Sequence, residues 1–77
     1  MINLLYFAGI RDLTGVPEEK AELAGRTVGE LLEWAEVKYP GIRGGGARVA
    51  VNEEYALDGD VLAEGDTAAF IPPVSGG

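Results

Sequence analysis

From Thr27 to Tyr39 apolar residues recur at helical spacing, and this one segment dictates what the rest of the chain must become. Val28, Leu31, Leu32, Ala35 and Tyr39 form a single apolar stripe, Trp34 flanks it and Val37 points away. Thr27 is placed to cap the helix, and Glu30, three residues on, to reach back and complete a capping box. Pro40 and Gly41 stop it. A lone helix with one apolar stripe needs a flat apolar surface to cover it. The other apolar runs are short, and they supply that surface as strands.

Ile2–Ala8 reads as a strand with Ile2, Leu4 and Tyr6 on one face and Asn3, Leu5 and Phe7 on the other. Asn3 marks the second face as the open one, which leaves Leu5 and Phe7 without intramolecular cover. Gly9–Pro17 carries Gly9, Gly15 and Pro17 and reads as a turn, with Glu19–Leu23 as a hairpin partner. Ala47–Val51 is the next strand, turned by Asn52, Glu53 and Glu54 into Tyr55. Asp58-Gly59-Asp60 and Glu64-Gly65-Asp66 are turns on either side of Val61 and Leu62, and Thr67–Ile71 is the last strand, cut off by Pro72-Pro73. Five strands and one helix in the order β-β-α-β-β-β make an α+β fold with the helix across one sheet face. Leu4, Val49, Phe70 and the helix stripe are the expected core. Residues 1–73 are expected to be one domain, and 74–77 a flexible tail.

With neither cysteine nor histidine among 77 residues, disulfides, thiolate catalysis, Cys/His zinc sites and most acid–base chemistry are excluded. Thirteen acidic against six basic residues, a net charge of -7, argue against nucleic acid as a partner. That acidity serves either solubility or the meeting of a basic partner surface. No apolar run is long enough to span a membrane and no basic flank precedes an apolar signal core, so a cytoplasmic protein is expected. Asp58, Asp60, Glu64 and Asp66 lack calcium-loop spacing and read as solvated turn residues, so no metal is expected. Gly44-Gly45-Gly46 reads as a flexible loop. It is not a phosphate-binding loop, because no Lys-Ser/Thr follows and no helix opens there.

The tail Val74-Ser75-Gly76-Gly77 draws attention because it follows a Pro-Pro exit from a strand. Prolines release the chain from a ladder and hold it extended, and two glycines without side chains let an end enter a channel barely wider than a backbone. Val74 to Gly77 spans at most about 14 Å, enough to reach into another protein's active site. A frayed, meaningless terminus is the plain alternative. In a chain without cysteine, the carboxylate of Gly77 is the one plausible sulfur handle, once activated as an acyl-adenylate.

FIPPVSGG at Phe70–Gly77 resembles the C-terminus of the MoaD/ThiS family of ubiquitin-like sulfur carriers. So do Tyr6-Phe7-Ala8 with Arg11-Asp12-Leu13 and Gly15, TVGELL at the helix start, VAVN at Val49–Asn52, and EGDTAAF at Glu64–Phe70. Similarity to the molybdopterin synthase small subunits implies a β-grasp fold with a mixed sheet. It also implies that Gly77 is adenylated by an E1-like enzyme using ATP, converted to a thiocarboxylate, and threaded through Val74, Ser75 and Gly76 into a large synthase subunit within a heterotetramer. There it would give sulfur to a cyclic pyranopterin monophosphate, the carrier binding no cofactor and a sulfurtransferase supplying the sulfur. The resemblance further implies docking through Phe7 and Ile71, with Leu5, and pairing of Arg11 with a partner acid. Ordinary burial of Phe7 and Ile71, and a solvated Arg11, are the alternatives. A carrier for thiamine or tRNA thiolation, and a ubiquitin-like protein modifier, also fit the residues.

Overall fold

The computed structural model describes residues 1–44 and 46–73. Its elements run β1 (Ile2–Tyr6), α1 (Ala8–Thr14), β2 (Glu18–Ala21), α2 (Val28–Lys38), β3 (Arg48–Val51), β4 (Glu54–Tyr55) and β5 (Thr67–Ile71). The strands form one mixed sheet in the order β2-β1-β5-β3-β4. The two terminal strands lie side by side and parallel at its centre, with Leu5 opposite Ala69 and Tyr6 opposite Phe70. The remaining pairs are antiparallel. This is the expected α+β architecture, with α2 as the main helix on one face.

Alternation divides the sheet cleanly. Ile2, Leu4 and Tyr6 of β1, Val49 of β3, and Ala68 and Phe70 of β5 point into the core, where they meet Val28, Leu31 and Ala35 of α2. The Tyr6 ring centre lies 5.4 Å from that of Phe70 and 5.8 Å from that of Tyr39, the latter edge-on. Every stripe residue of α2 is thus accounted for: Leu32, Trp34 and Tyr39 pack at the margin of this core, and Val37 is solvent-exposed.

The capping box forms as expected. Glu30 N–H donates to Thr27 Oγ1 at 3.1 Å, and Thr27 N–H donates to Glu30 Oε1 at 3.0 Å. The next two amides of α2 find backbone partners, Val28 N–H on the Asp60 carbonyl and Gly29 N–H on the Asp58 carbonyl, at 2.8 and 2.9 Å. This close approach explains Gly29, where a Cβ would stand 3.3 Å from the Asp58 carbonyl oxygen. At the far end Glu36 accepts the amides of Gly41 and Arg43, which closes the turn that Pro40 begins.

Two readings of the sequence are corrected. β1 ends at Tyr6 rather than Ala8, and most of the segment expected to be a turn between Gly9 and Pro17 is the seven-residue helix α1. Phe7 occupies the α1 N-cap with no side-chain cap bond, Ile10 is its one buried residue, and Gly15 at φ 80° ends it in the left-handed conformation. The element order is therefore β-α-β-α-β-β-β.

Candidate functional site

The face of the sheet opposite α2 carries the candidate site. Outward-pointing residues line up across the strands: Leu5 of β1 is opposite Ala69 of β5, Ala69 is opposite Ala50 of β3, and Ala50 is opposite Tyr55 of β4. Two alanines in the middle of that row give the face a low floor, and larger side chains on either side make walls. The outcome is an apolar trough of about 710 Å³, with Leu5, Phe7, Tyr55 and Ile71 prominent in its lining. Thr67, Asn52 and Glu53 close its polar end.

Phe7 is 48% and Tyr55 56% exposed, so the trough's aromatic walls are presented to solvent rather than packed inside. Leu5 and Ile71 are half-buried. Neither Phe7 nor Ile71 belongs to the buried core cluster, and the sheet groups Phe7, Ile71 and Leu5, three of the four expected docking residues, on one surface. Arg11 is not among them. It is exposed on α1, forms no salt bridge among the described residues, and stands outside the trough lining.

The trough leads to the chain's exit. Ile71 is the last residue of β5 and sits opposite Arg48; Pro72 and Pro73 follow it out of the ladder. Val74, Ser75, Gly76 and Gly77 lie outside the described residues.

Sequence reasoning did not single out Tyr55, Ala50, Ala69 or Arg48 as parts of this surface. The alternation of β5, with Ala68 and Phe70 inward and Thr67, Ala69 and Ile71 outward, carried part of that signal. The floor of alanines depends on which strands are neighbours, and a parallel β1–β5 pairing between chain ends is not readable from local pattern.

Chemically the surface is suited to binding. Among the described residues no three His, Cys, Asp or Glu side chains come together to hold a metal ion. The carboxylates read as solvated turn residues serve their turns. Asp60 accepts the amide of Leu57, and Asp66 accepts the amide of Ala63 together with a side-chain bond from Asn52. The Ala63 amide, then Asn52, hold the Asp66 carboxyl below its ordinary range.

A β-grasp domain with an uncovered apolar trough leading to a proline-terminated strand end belongs, by its architecture, to the ubiquitin-like class of folds. Comparison with known proteins narrows this, because the ThiS family profile matches residues 4–77. The chain belongs to the ThiS family. It is 41% identical to the molybdopterin synthase sulfur carrier subunit of Mycobacterium tuberculosis, over 99% of this chain and 96% of that protein. Among solved structures it is similar to the protein assigned as molybdopterin converting factor subunit 1 of Pyrococcus furiosus. There the TM-score is 0.86 at 30% identity, over 95% of this chain and 97% of that one. It is also similar to SAMP1, the small archaeal modifier protein 1 of Haloferax volcanii, with a TM-score of 0.77 at 26% identity over 99% and 98% of the two chains. No helix among the described residues is long and apolar enough to cross a membrane.

Proposed function

We propose that this protein is the sulfur carrier subunit of a molybdopterin synthase, and that the Gly77 carboxylate is its working group. An E1-like enzyme transfers AMP from ATP to that carboxylate and releases pyrophosphate. Sulfide, released from a sulfurtransferase persulfide by thiols that are oxidised to a disulfide, then displaces AMP and leaves a thiocarboxylate. The trough, with Phe7, Leu5 and Ile71, docks the large synthase subunit, and Val74, Ser75 and Gly76 carry the terminus into that subunit's active site. The sulfur passes there to a cyclic pyranopterin monophosphate to build the dithiolene. The chain itself binds no cofactor, ATP being consumed by the activating enzyme, and works in the cytoplasm.

The observation that carries this reading is the joining of an exposed apolar trough to the strand that ends at Pro72-Pro73. A partner seated on Phe7 and Ile71 is by geometry beside the outgoing chain. Burial of each such side chain contributes about 1.5–3 kcal/mol, so two or three anchor a complex. Full-length similarity to a named sulfur carrier subunit supports the same reading.

The test is intact mass spectrometry of the protein produced with its own activating enzyme, followed by mixing with a large synthase subunit and the pyranopterin. Oxygen-to-sulfur exchange confined to Gly77, then dithiolene formation, is expected. Exchange without dithiolene would point to a different thiolation pathway. The likeness to SAMP1 favours one competing reading, a protein modifier, and a ladder of conjugates on an immunoblot of native cells would support it instead.

A further inference from the structure

Arg48 stands beside the exit end of the trough, just outside its lining and on the same sheet face as Ile71 and Tyr55. The guanidinium carbon lies 4.2 Å from the centre of the Tyr55 ring, while Arg48 is directly opposite Ile71 in the β3–β5 ladder. Thirteen carboxylates are distributed over only 77 residues. The three salt bridges among the described residues use the Met1 ammonium, Arg26 and Lys38, so Arg48, like Arg11, Lys20 and Arg43, is in none of them. It also takes part in no side-chain hydrogen bond among these residues. The guanidinium thus lies over the ring of Tyr55, itself exposed, within cation–π range.

A guanidinium seated in this way keeps the N–H donors along its edge free and loses little further freedom when a planar acceptor arrives. Any molecule packed on Ile71 must also meet Arg48, because opposed residues in a ladder stand about 5 Å apart. A carboxylate at that point gains two parallel charge-assisted hydrogen bonds. An apolar or cationic group there strands a desolvated charge. At the far end of the trough the exposed carboxylate of Glu53 gives the opposite sign, while on β2 Glu18 shares the face with Lys20. The surface thus has an apolar middle, a positive exit end and a negative far end.

We propose that Arg48, stacked on Tyr55 beside the chain exit, determines which partner docks, by taking a carboxylate of the large synthase subunit. The proposal rests on the docking-face reading above and adds to it the partner's charge at one position. An acid on the partner faces Arg48, next to the apolar group that covers Ile71, and basic residues face Glu53.

The test measures binding of the full chain to the large synthase subunit from the same cell at several salt concentrations, for Arg48→Ala, Arg48→Glu, Arg48→Lys, Tyr55→Leu and Phe7→Ala. Arg48→Ala is expected to weaken binding by about tenfold or more and to flatten its salt dependence. Arg48→Glu should weaken it further, and Arg48→Lys should recover only part of the loss. An Asp or Glu of the subunit changed to Arg should restore binding to Arg48→Glu alone. Arg48 is exposed, so melting temperatures should stay close to that of the parent and separate binding from folding.

If the Arg48 variants bind within about twofold of the parent while Phe7→Ala loses binding, the proposal is overturned and the docking face stands. If Phe7→Ala also binds normally, the docking-face reading itself fails. Should the Arg48 effect vanish in a chain lacking Gly76 and Gly77, the anion belongs to this chain's own terminus and the proposal is wrong. A change in self-association of Arg48→Glu by ultracentrifugation, with subunit binding unaltered, would overturn it in favour of a second copy.

Discussion

Glu53 is held at φ 73° and Asn52 at φ 50° in the two-residue turn joining β3 to β4. Both central residues of such a type I′ hairpin must be left-handed, which Asn tolerates and Glu does not. Asn52 gains from the position: its Oδ1 accepts the Thr67 amide at 3.0 Å, and its Nδ2 donates to Asp66. Glu53 has no such gain, and it lines the polar end of the trough. Glu53→Gly should therefore stabilise the fold by about 0.5–1 kcal/mol, less than the full strain because glycine also loosens the unfolded chain. In a domain this small that is a melting temperature higher by about 2–8 °C. Phe7→Ala makes the complementary case. Its side chain is 48% exposed and caps nothing, so the melting temperature should shift by less than about 4 °C while affinity for the large subunit falls at least tenfold. Calorimetry and a binding isotherm on the same samples check both parts. An equally large loss of stability would mean that Phe7 belongs to the fold.

Elements differ in how well local pattern foretells them. The α2 helix was legible because a capping box, a five-residue stripe and a Pro-Gly stop all agree over one long segment. α1 was not, because it buries only Ile10, has no polar N-cap, and is bounded by glycine and proline that read as turn. A helix held by one apolar anchor has no period to detect. β4, at two residues, is likewise defined by its partner Val51–Ala50 and not by its own sequence. The tie between β2 and α2 is also tertiary. Glu19 Oε2 accepts the Tyr39 hydroxyl at 2.5 Å and Oε1 accepts Lys38 Nζ at 3.0 Å, with the Tyr6 hydroxyl buried alongside. Burial opposes ionisation of Glu19, but the hydrogen bonds from Tyr39 and Lys38 outweigh it and hold the carboxyl below its ordinary value of 4.5. A carboxyl depressed on folding contributes stability that is complete above its unfolded value and is lost as pH falls through the folded one. Thermal stability should thus decline as pH drops below about 4.5. Glu19→Gln should lower stability at pH 7 by about 1 kcal/mol and make the acid limb of the melting-temperature profile shallower. A parallel profile for the variant would show that other carboxylates govern the acid limb.

At the scale of the molecule, the parallel β1–β5 pair determines where the chain end emerges. Both terminal strands occupy the middle of the sheet, so the last paired residue, Ile71, leaves from beside Phe7 at the edge of the trough and not from a remote edge strand. Among the described residues, the core cluster and the strand pairing both lie before that point. The core cluster ends at Phe70, the ladder ends at Ile71, and the prolines that follow have no ladder partners. On the proposed function, stability and reactivity belong to separate stretches of one chain. Deleting Gly77, or adding a single alanine after it, should leave the melting temperature within about 2 °C of the parent, since the core cluster ends at Phe70 and the ladder at Ile71. The same two variants should also bind the large subunit nearly as well as the parent, because Phe7, Leu5 and Ile71 are untouched. Sulfur delivery should nevertheless fall to background in both: one lacks the reactive carboxyl at the right reach, and the other puts it one residue, about 3.5 Å, too far along. Mass spectrometry of the deleted and extended chains after incubation with the activating enzyme separates failed loading from failed transfer. A lengthened chain that loaded and delivered sulfur at the parent rate would show that the carboxyl's position relative to the folded body does not matter, against everything the parallel pairing and proline exit imply.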